Sequence, residues 1–505
     1  MDAWNLRKLF VKVRSIIKSI RLHPGKFALV PVIAFATVLF VVSDTLTISQ
    51  PVFSASAAYS SSETDPVNEE PVCEPVPDWV GKVNGIDIIF DWLAIRDANN
   101  RRLVMLHEYF DSLEPSGQNE KTGIFEDFNL ITISAEALTS YVIDPDLTPT
   151  LYMMQHDGIY FENFYSVYGG GTIAGEISLI TGLAPAGGHG WCNTAARRHL
   201  PFSFASQFNA LGIQPYAYHN GTYTYYDRNK LHPNLGYIFR ARKHGLDFRG
   251  PGWHMSDKAL IELSIDQYID EERFYVHYMT VSGHSPYSFQ ENGVARQNRA
   301  AVDHLPYSSQ VKAYLATQME LEYAMKYLLE RLEEKGIAER TLIVMTTDHY
   351  PYGLTTRDVE ELAGHRFDNA FGLHRNACII YVKGMEPEIV ETPAFVPDIV
   401  PTVSNLLGLR FDSRFLAGRD VFSDDMPLVF LECGFMTDLG YYERGRRKFT
   451  PFEGVEVPEG YVSEISQIVN MRKTVVEQII ALDYFAKIAT FLEPPSDDHL
   501  AGSCD

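Results

Sequence analysis

Between residues 125 and 424 the chain repeats one pattern, a short continuous apolar run followed by a longer amphipathic stretch. The runs are Asn129–Ile133, Pro215–Tyr218, Phe274–Val281, Thr341–Met345 and Ala377–Val382, and Ser309–Glu334 is the clearest amphipathic stretch between them. Strands covered by helices on both faces read as unbroken apolar runs. The pattern therefore predicts an α/β domain with a central, mostly parallel sheet flanked by helices. Such sheets gather ligands beyond the carboxyl ends of their strands. That rule says where to look for chemistry.

The flanking regions read differently. Residues 1–26 hold seven basic side chains and one acid, a basic cytoplasmic segment. An apolar run from Phe27 to Val42 follows, broken by Pro31 and Thr37, and Thr45–Ile48 extends it. Sixteen helical residues reach about 24 Å, so residues 27–49 are expected to form a transmembrane anchor. Basic residues ahead of the run place the bulk of the chain outside the cell. A cleavable signal peptide is the rival reading, with Ala55-Ser56-Ala57 as a small-residue cleavage site. Residues 50–84 are expected to be a flexible linker rich in Ser, Pro and Glu, and 85–124 a helical stalk. Residues 425–505 read as a small C-terminal α+β subdomain, with a strand at Leu428–Leu431, an aromatic-rich loop and a helix over Ser463–Leu492.

Charge excludes one large class of function. The 505 residues carry 65 acidic and 43 basic side chains, a formal net charge of −22. Affinity for a nucleic-acid backbone comes from Lys and Arg on phosphates, so no nucleic-acid partner is expected. Five scattered cysteines make neither a disulfide framework nor a zinc finger.

Four polar groups fall where strand ends are expected. Glu136 follows the first run, and Asp348-His349 directly follows Thr341–Thr347. Thr172 follows Gly169-Gly170-Gly171 and opens a helix expected over Thr172–Leu183. Two carboxylates, an imidazole and a hydroxyl suit a divalent cation with mainly oxygen ligands. Taken singly, each also has a structural reading. Thr172 and Asp348 read as helix caps, Glu136 as a first-turn residue, and His349 as a hydrogen-bonded structural histidine.

Taken in order and with their intervals, these residues resemble the catalytic domain of lipoteichoic acid synthases, phosphoglycerol transferases of the alkaline phosphatase and sulfatase superfamily. The resemblance continues in His219-Asn220-Gly221, Tyr226-Asp227-Arg228, Leu235-Gly236-Tyr237 and Ser282-Gly283-His284-Ser285-Pro286-Tyr287. It returns in Asp398-Ile399-Val400-Pro401-Thr402 and Asn405-Leu406-Leu407-Gly408, and runs from about residue 126 to 492. It implies metal ligands at Glu136, Thr172, Asp348 and His349, holding manganese or magnesium, with zinc as a further option. Thr172 would also be the nucleophile, and His219, Arg228 and His284 would hold the phosphoglycerol group, with His284 also moving protons. The implied donor is a phosphatidylglycerol-type membrane lipid. The acceptor would be a hydroxyl of a glycolipid, a growing cell-envelope polymer, or water.

The nearest enzymatic alternative is a phosphoethanolamine transferase or phosphodiesterase of the same superfamily. Sulfate-ester hydrolysis is disfavoured, because Thr172-Ile173-Ala174-Gly175-Glu176 offers no Cys or Ser for conversion to formylglycine. A non-catalytic domain that binds glycolipid or wall polymer is the alternative from another class. Four features depart from the family pattern, two of them Thr347 before Asp348, where Gly is usual, and Ala137 after Glu136, where Ser is common. One apolar span stands where several are usual, and Tyr226 stands where Trp is common.

Overall fold

The computed structural model describes residues 77–167, 171–185, 188–248 and 256–492. The expected anchor, most of the linker, Gly169, Gly170, Cys73 and Cys504 lie outside the described residues. Among the described residues, no helix is long and apolar enough to cross a membrane.

The first strand, β1 (Asn129–Ala135), is followed by β2 (Ile159–Phe161) and the two-residue β3 (Phe164–Tyr165). Next come β4 (Pro215–Thr222), β5 (Ile238–Arg242), β6 (Gly245–Leu246), β7 (Tyr275–Met279), β8 (Thr341–Thr347), β9 (Cys378–Tyr381) and β10 (Glu388–Val390). A short β11 (Ala394–Phe395) pairs with β3. The other strands named so far form one nine-stranded sheet, in the order β10-β2-β9-β8-β1-β7-β4-β5-β6. Every pairing is parallel except those of β9, which runs against both β8 and β2. The sheet is mixed and mostly parallel.

The five apolar runs of the sequence are the five contiguous central strands, β9-β8-β1-β7-β4. The strands outside them are short, and β5 alternates in burial, so they lack an unbroken apolar run. Alternate residues of the central strands enter two cores. Leu130, Tyr275, Leu342 and Val344 face one side, with the helices Thr172–Thr181 and Ile399–Leu406. Ile131, Val276, Ile343 and Met345 face the other, with the helix Ser309–Glu334. That helix begins where its cap dictates, at Ser308, whose side chain accepts from the Val311 N–H.

Two peripheral regions refine the expectation. The stretch read as a stalk is two helices, Phe90–Arg96 and Arg101–Asp111, and both enter the main core through Phe90, Leu93, Leu106 and Phe110. The aromatic-rich loop is a small antiparallel sheet of β12 (Val429–Phe430), β13 (Gly434–Thr437), β14 (Gly440–Glu443) and β15 (Lys448–Pro451). The last helix is broken. It runs over Tyr461–Leu482, stops at Asp483 in a left-handed conformation (φ 49°), and resumes at Tyr484.

Candidate active site

Strand register builds the site. Ala135 at the end of β1 is level with Thr347 at the end of β8, so Glu136 and Asp348 leave the sheet side by side. On the other flank, Ser134 is level with Met279 of β7, and Met279 with His219 of β4. Four neighbouring strands thus deliver their next residues to one edge, as expected for the carboxyl ends of a parallel sheet.

The four expected ligands meet there. Ligand atoms of Glu136, Asp348 and His349 lie within 4.8 Å of one another, and all three residues are buried. His349 Nε2 is 3.3 Å from Asp348 Oδ2, 3.6 Å from Glu136 Oε1 and 3.1 Å from Thr172 Oγ1. The imidazole tautomer follows from its other nitrogen. Nδ1 lies 2.9 Å from the Tyr350 carbonyl, which only accepts, so Nδ1 carries the proton and Nε2 presents its lone pair to the cluster.

Backbone detail presses these groups together. Asp348 Oδ1 accepts from the Ala137 and His349 N–H groups at 2.9 and 2.8 Å. Ala137 holds φ 55°, a conformation that a non-glycine residue adopts only when its surroundings impose it. Gly171 holds φ 66° just before Thr172, where glycine alone is unstrained. Gly175 lies so close to the Asp348 loop that a Cβ there would stand 2.0 Å from the Asp348 carbonyl oxygen.

Charge fits a cation. Burial first, then the neighbouring Asp348 carboxylate, push the Glu136 carboxyl well above its ordinary range. Asp348 Oδ2 is buried without a hydrogen-bond partner. Two crowded carboxylates, one orphaned oxygen, an imidazole lone pair and a hydroxyl form a donor set that a divalent ion satisfies. The residues present therefore fit the metal that the superfamily implies.

The remaining expected residues surround this cluster. His284, partly buried, joins it through Tyr352, whose ring centroid lies 4.5 Å from that of His349 and 6.4 Å from that of His284. Burial lowers the His284 pKa, and its Nδ1 is 2.5 Å from the Ser285 carbonyl. A carbonyl only accepts, so His284 Nδ1 carries a proton. His219 is buried, its Nδ1 bonded to the Met279 carbonyl at 3.0 Å, and burial followed by the Arg228 charge lowers its pKa to about 3. Arg228 is buried against Glu176 in an ion pair of 2.7 Å. Of the basic side chains nearby in the sequence, Arg198 donates to the Ile480 carbonyl and Arg240 to Gln267.

Several residues of this neighbourhood escaped the sequence reading. Glu176, Thr280, Asp257 and Tyr352 each contact an expected site residue or its loop, and His232 contacts Glu176. Asp257 accepts from the Val281 and Ser282 N–H groups and so fixes the loop that leads to His284. Only Glu176 carried a local signal, one helical turn after Thr172.

Fold and site define the class. The sulfatase family model matches residues 131–409, more than half of the chain, and the chain belongs to that family, within the alkaline phosphatase superfamily. Its curated relatives include lipoteichoic acid synthase 2 of Bacillus subtilis, 25% identical over 348 residues, covering 65% of this chain and 52% of the relative. The lipoteichoic acid synthase of Staphylococcus aureus is 22% identical over 379 residues, 69% of this chain and 56% of the relative. The chain thus spans about half the length of the curated relatives it matches. Among solved structures, the lipoteichoic acid synthase LtaP of Listeria monocytogenes shares the fold, with a TM-score of 0.58 at 20% identity over 77% of this chain and 98% of that one.

Proposed function

We propose that the protein is an extracytoplasmic, membrane-anchored phosphoglycerol transferase that acts on a phosphatidylglycerol-type lipid through a phosphothreonine intermediate. The observation that carries this reading is the 3.1 Å approach of Thr172 Oγ1 to His349 Nε2 inside the buried Glu136, Asp348 and His349 cluster. A binding module has no use for a hydroxyl held in that position.

Glu136, Thr172, Asp348 and His349 would hold the ion, Mn2+ in the first instance. When bound, the ion supplies charge that acidifies the Thr172 hydroxyl and steadies phosphoryl oxygens. Thr172 Oγ1 attacks phosphorus in line, the bond from phosphorus to the diacylglycerol oxygen breaks, and the threonine proton ends on the released diacylglycerol. Arg228 and His219 line the phosphoryl group, and the guanidinium offsets negative charge on its oxygens. In the second step an acceptor hydroxyl attacks phosphorus, the bond to Thr172 breaks, and His284 Nε2 takes the acceptor's proton before it returns to threonine.

The test is turnover of fluorescent phosphatidylglycerol with Mn2+, run beside phosphatidylethanolamine. The expected outcome is diacylglycerol release from the first lipid and a glycerol-phosphate adduct on Thr172 by mass spectrometry. Thr172→Ala loses about three orders of magnitude or more, as for other lost nucleophiles. Faster release from phosphatidylethanolamine would move the assignment to that head group, and lipid binding without turnover of either would leave a binding module.

A further inference from the structure

Arg228 is placed chiefly by a residue outside its own motif. Its side chain is 2% exposed, and Nε and Nη2 both bond Oε2 of Glu176, at 2.8 and 2.7 Å. Glu176 lies four residues after Thr172, one turn along the same helix face. Its other oxygen, Oε1, accepts from His232 Nε2 at 2.8 Å. Burial opposes ionisation of Glu176, but the guanidinium and the His232 hydrogen bond outweigh it and hold the carboxyl far below its ordinary range. The Tyr226 ring, 5.3 Å from the guanidinium carbon, packs against the cation. Tyr226 and Asp227, directly before Arg228, both hold φ 57°, a costly pair of conformations.

Stability alone gives little reason for this pair. The same helix already buries Ile173, Ile177, Leu179 and Ile180. A buried ion pair is commonly no better than apolar side chains of equal volume, and its best-attested use is to fix one arrangement among several. What this pair fixes is the spacing between the helix start at Thr172 and the guanidinium.

We propose that Glu176 is a positioning residue for phosphoryl transfer. It grips one edge of the Arg228 fork and so holds the cation at a set distance from Thr172 Oγ1, and His232 orients the carboxylate. The grip uses two of the five guanidinium N–H donors and leaves three for phosphoryl oxygens. The inference rests on Thr172 as the attacking group but is independent of the lipid head group.

Guanidinium rescue tests it in the full-length chain. Arg228→Ala lowers kcat about a hundredfold, the scale of a lost donor to transition-state charge, with Mn2+ affinity unchanged. Millimolar guanidinium chloride restores it at least tenfold over sodium chloride, because Glu176 recaptures the free ion. In Arg228→Ala/Glu176→Gln, which leaves no unpaired buried charge, the same salt restores nothing. Equal rescue in both variants, or rescue in neither, overturns the proposal. Should Arg228→Ala not fold, Arg228→Lys keeps a charge for Glu176 but loses the fork. It is expected to lose at least tenfold in kcat with little change in KM, and parental kcat in that variant also overturns the proposal. A parent inert toward both lipids sinks the transferase reading and this one together, whereas an active parent without selective rescue sinks only this one.

Discussion

Glu136 is the residue on which the charge balance of the site turns, and it sets a pH dependence. A carboxyl whose folded pKa lies above its unfolded value contributes stability that is complete below the unfolded value and lost as pH rises through the folded one. Glu136 is such a group, and burial likewise raises Asp257, Asp398 and Asp420 to about 6 from 3.8. Each of these four carboxyls therefore contributes stability to the chelated protein that is lost as pH climbs from about 4 through 6 and above, while the buried His219, whose pKa is lowered to about 3, acts with the opposite sign. Divalent cation opposes the Glu136 part of that loss. Saturating Mn2+, worth about 2.7 kcal/mol at a hundredfold excess over Kd, should raise Tm by more at neutral pH than at pH near 5. Thermal melts with chelator or Mn2+ across that range decide it. An Mn2+ shift that shrinks toward neutral pH would refute the carboxylate assignment. These residues were legible in the sequence as a candidate cluster because each stands at a strand end or a helix start. The Glu176 clamp was not, since Arg228 and His232 lie 52 and 56 residues further on and no local pattern joins them.

At the scale of elements, the helix Thr172–Thr181 can approach the Asp348 loop only through a missing side chain. A Cβ at Gly175 would meet the Asp348 carbonyl at 2.0 Å, and backbone cannot yield as a flexible side chain would. Gly175→Ala must lift the helix start, at a cost of about 1–3 kcal/mol. It should also weaken Mn2+ binding, because Thr172 moves with the helix. Gly190, within Gly188–Ala195, has no neighbour that its Cβ would meet within 4 Å. Alanine there should stabilise by about 0.5–1 kcal/mol. Urea midpoints shifting in opposite directions, with Mn2+ affinity falling only for Gly175→Ala, are the expected outcome, and parental affinity in that variant would refute the close-approach argument. Elements differed in how plainly they could be read. Ser309–Glu334 was legible at both ends because its period and its Ser308 cap agree. The break at Asp483 was not, because left-handed backbone at a non-glycine residue leaves no mark in an amphipathic pattern. In the small antiparallel sheet, β13 is buried throughout while β14 and β15 are half-exposed, so no common alternation announced it.

Across the whole molecule, the last helices are joined to the site by a short chain of bonds. Arg472, in Tyr461–Leu482, donates to the Ala417 carbonyl at 2.9 Å. The Ala417 N–H donates to the carbonyl of Gly182, the residue that ends the helix begun by Thr172, at 2.9 Å. The first helices close the same assembly. His107, fully buried, bonds Asp97 at 2.9 Å and the Tyr484 hydroxyl at 3.0 Å, and Phe110 packs on Phe415 at 4.5 Å between ring centroids. The described residues from 77 to 492 accordingly pack as one compact unit. Elements that share a core tend to unfold together. The intact protein is therefore expected to melt in a single calorimetric transition that Mn2+ moves as a whole. A chain ending at Gly460 leaves Phe415, Phe110 and the Ala417 carbonyl without their cover, and should lose both the cooperative melt and measurable Mn2+ affinity. Two separate transitions with Mn2+ shifting only one, or a shortened chain that binds Mn2+ as the parent does, would show that the terminal helices are an addition the site does not need.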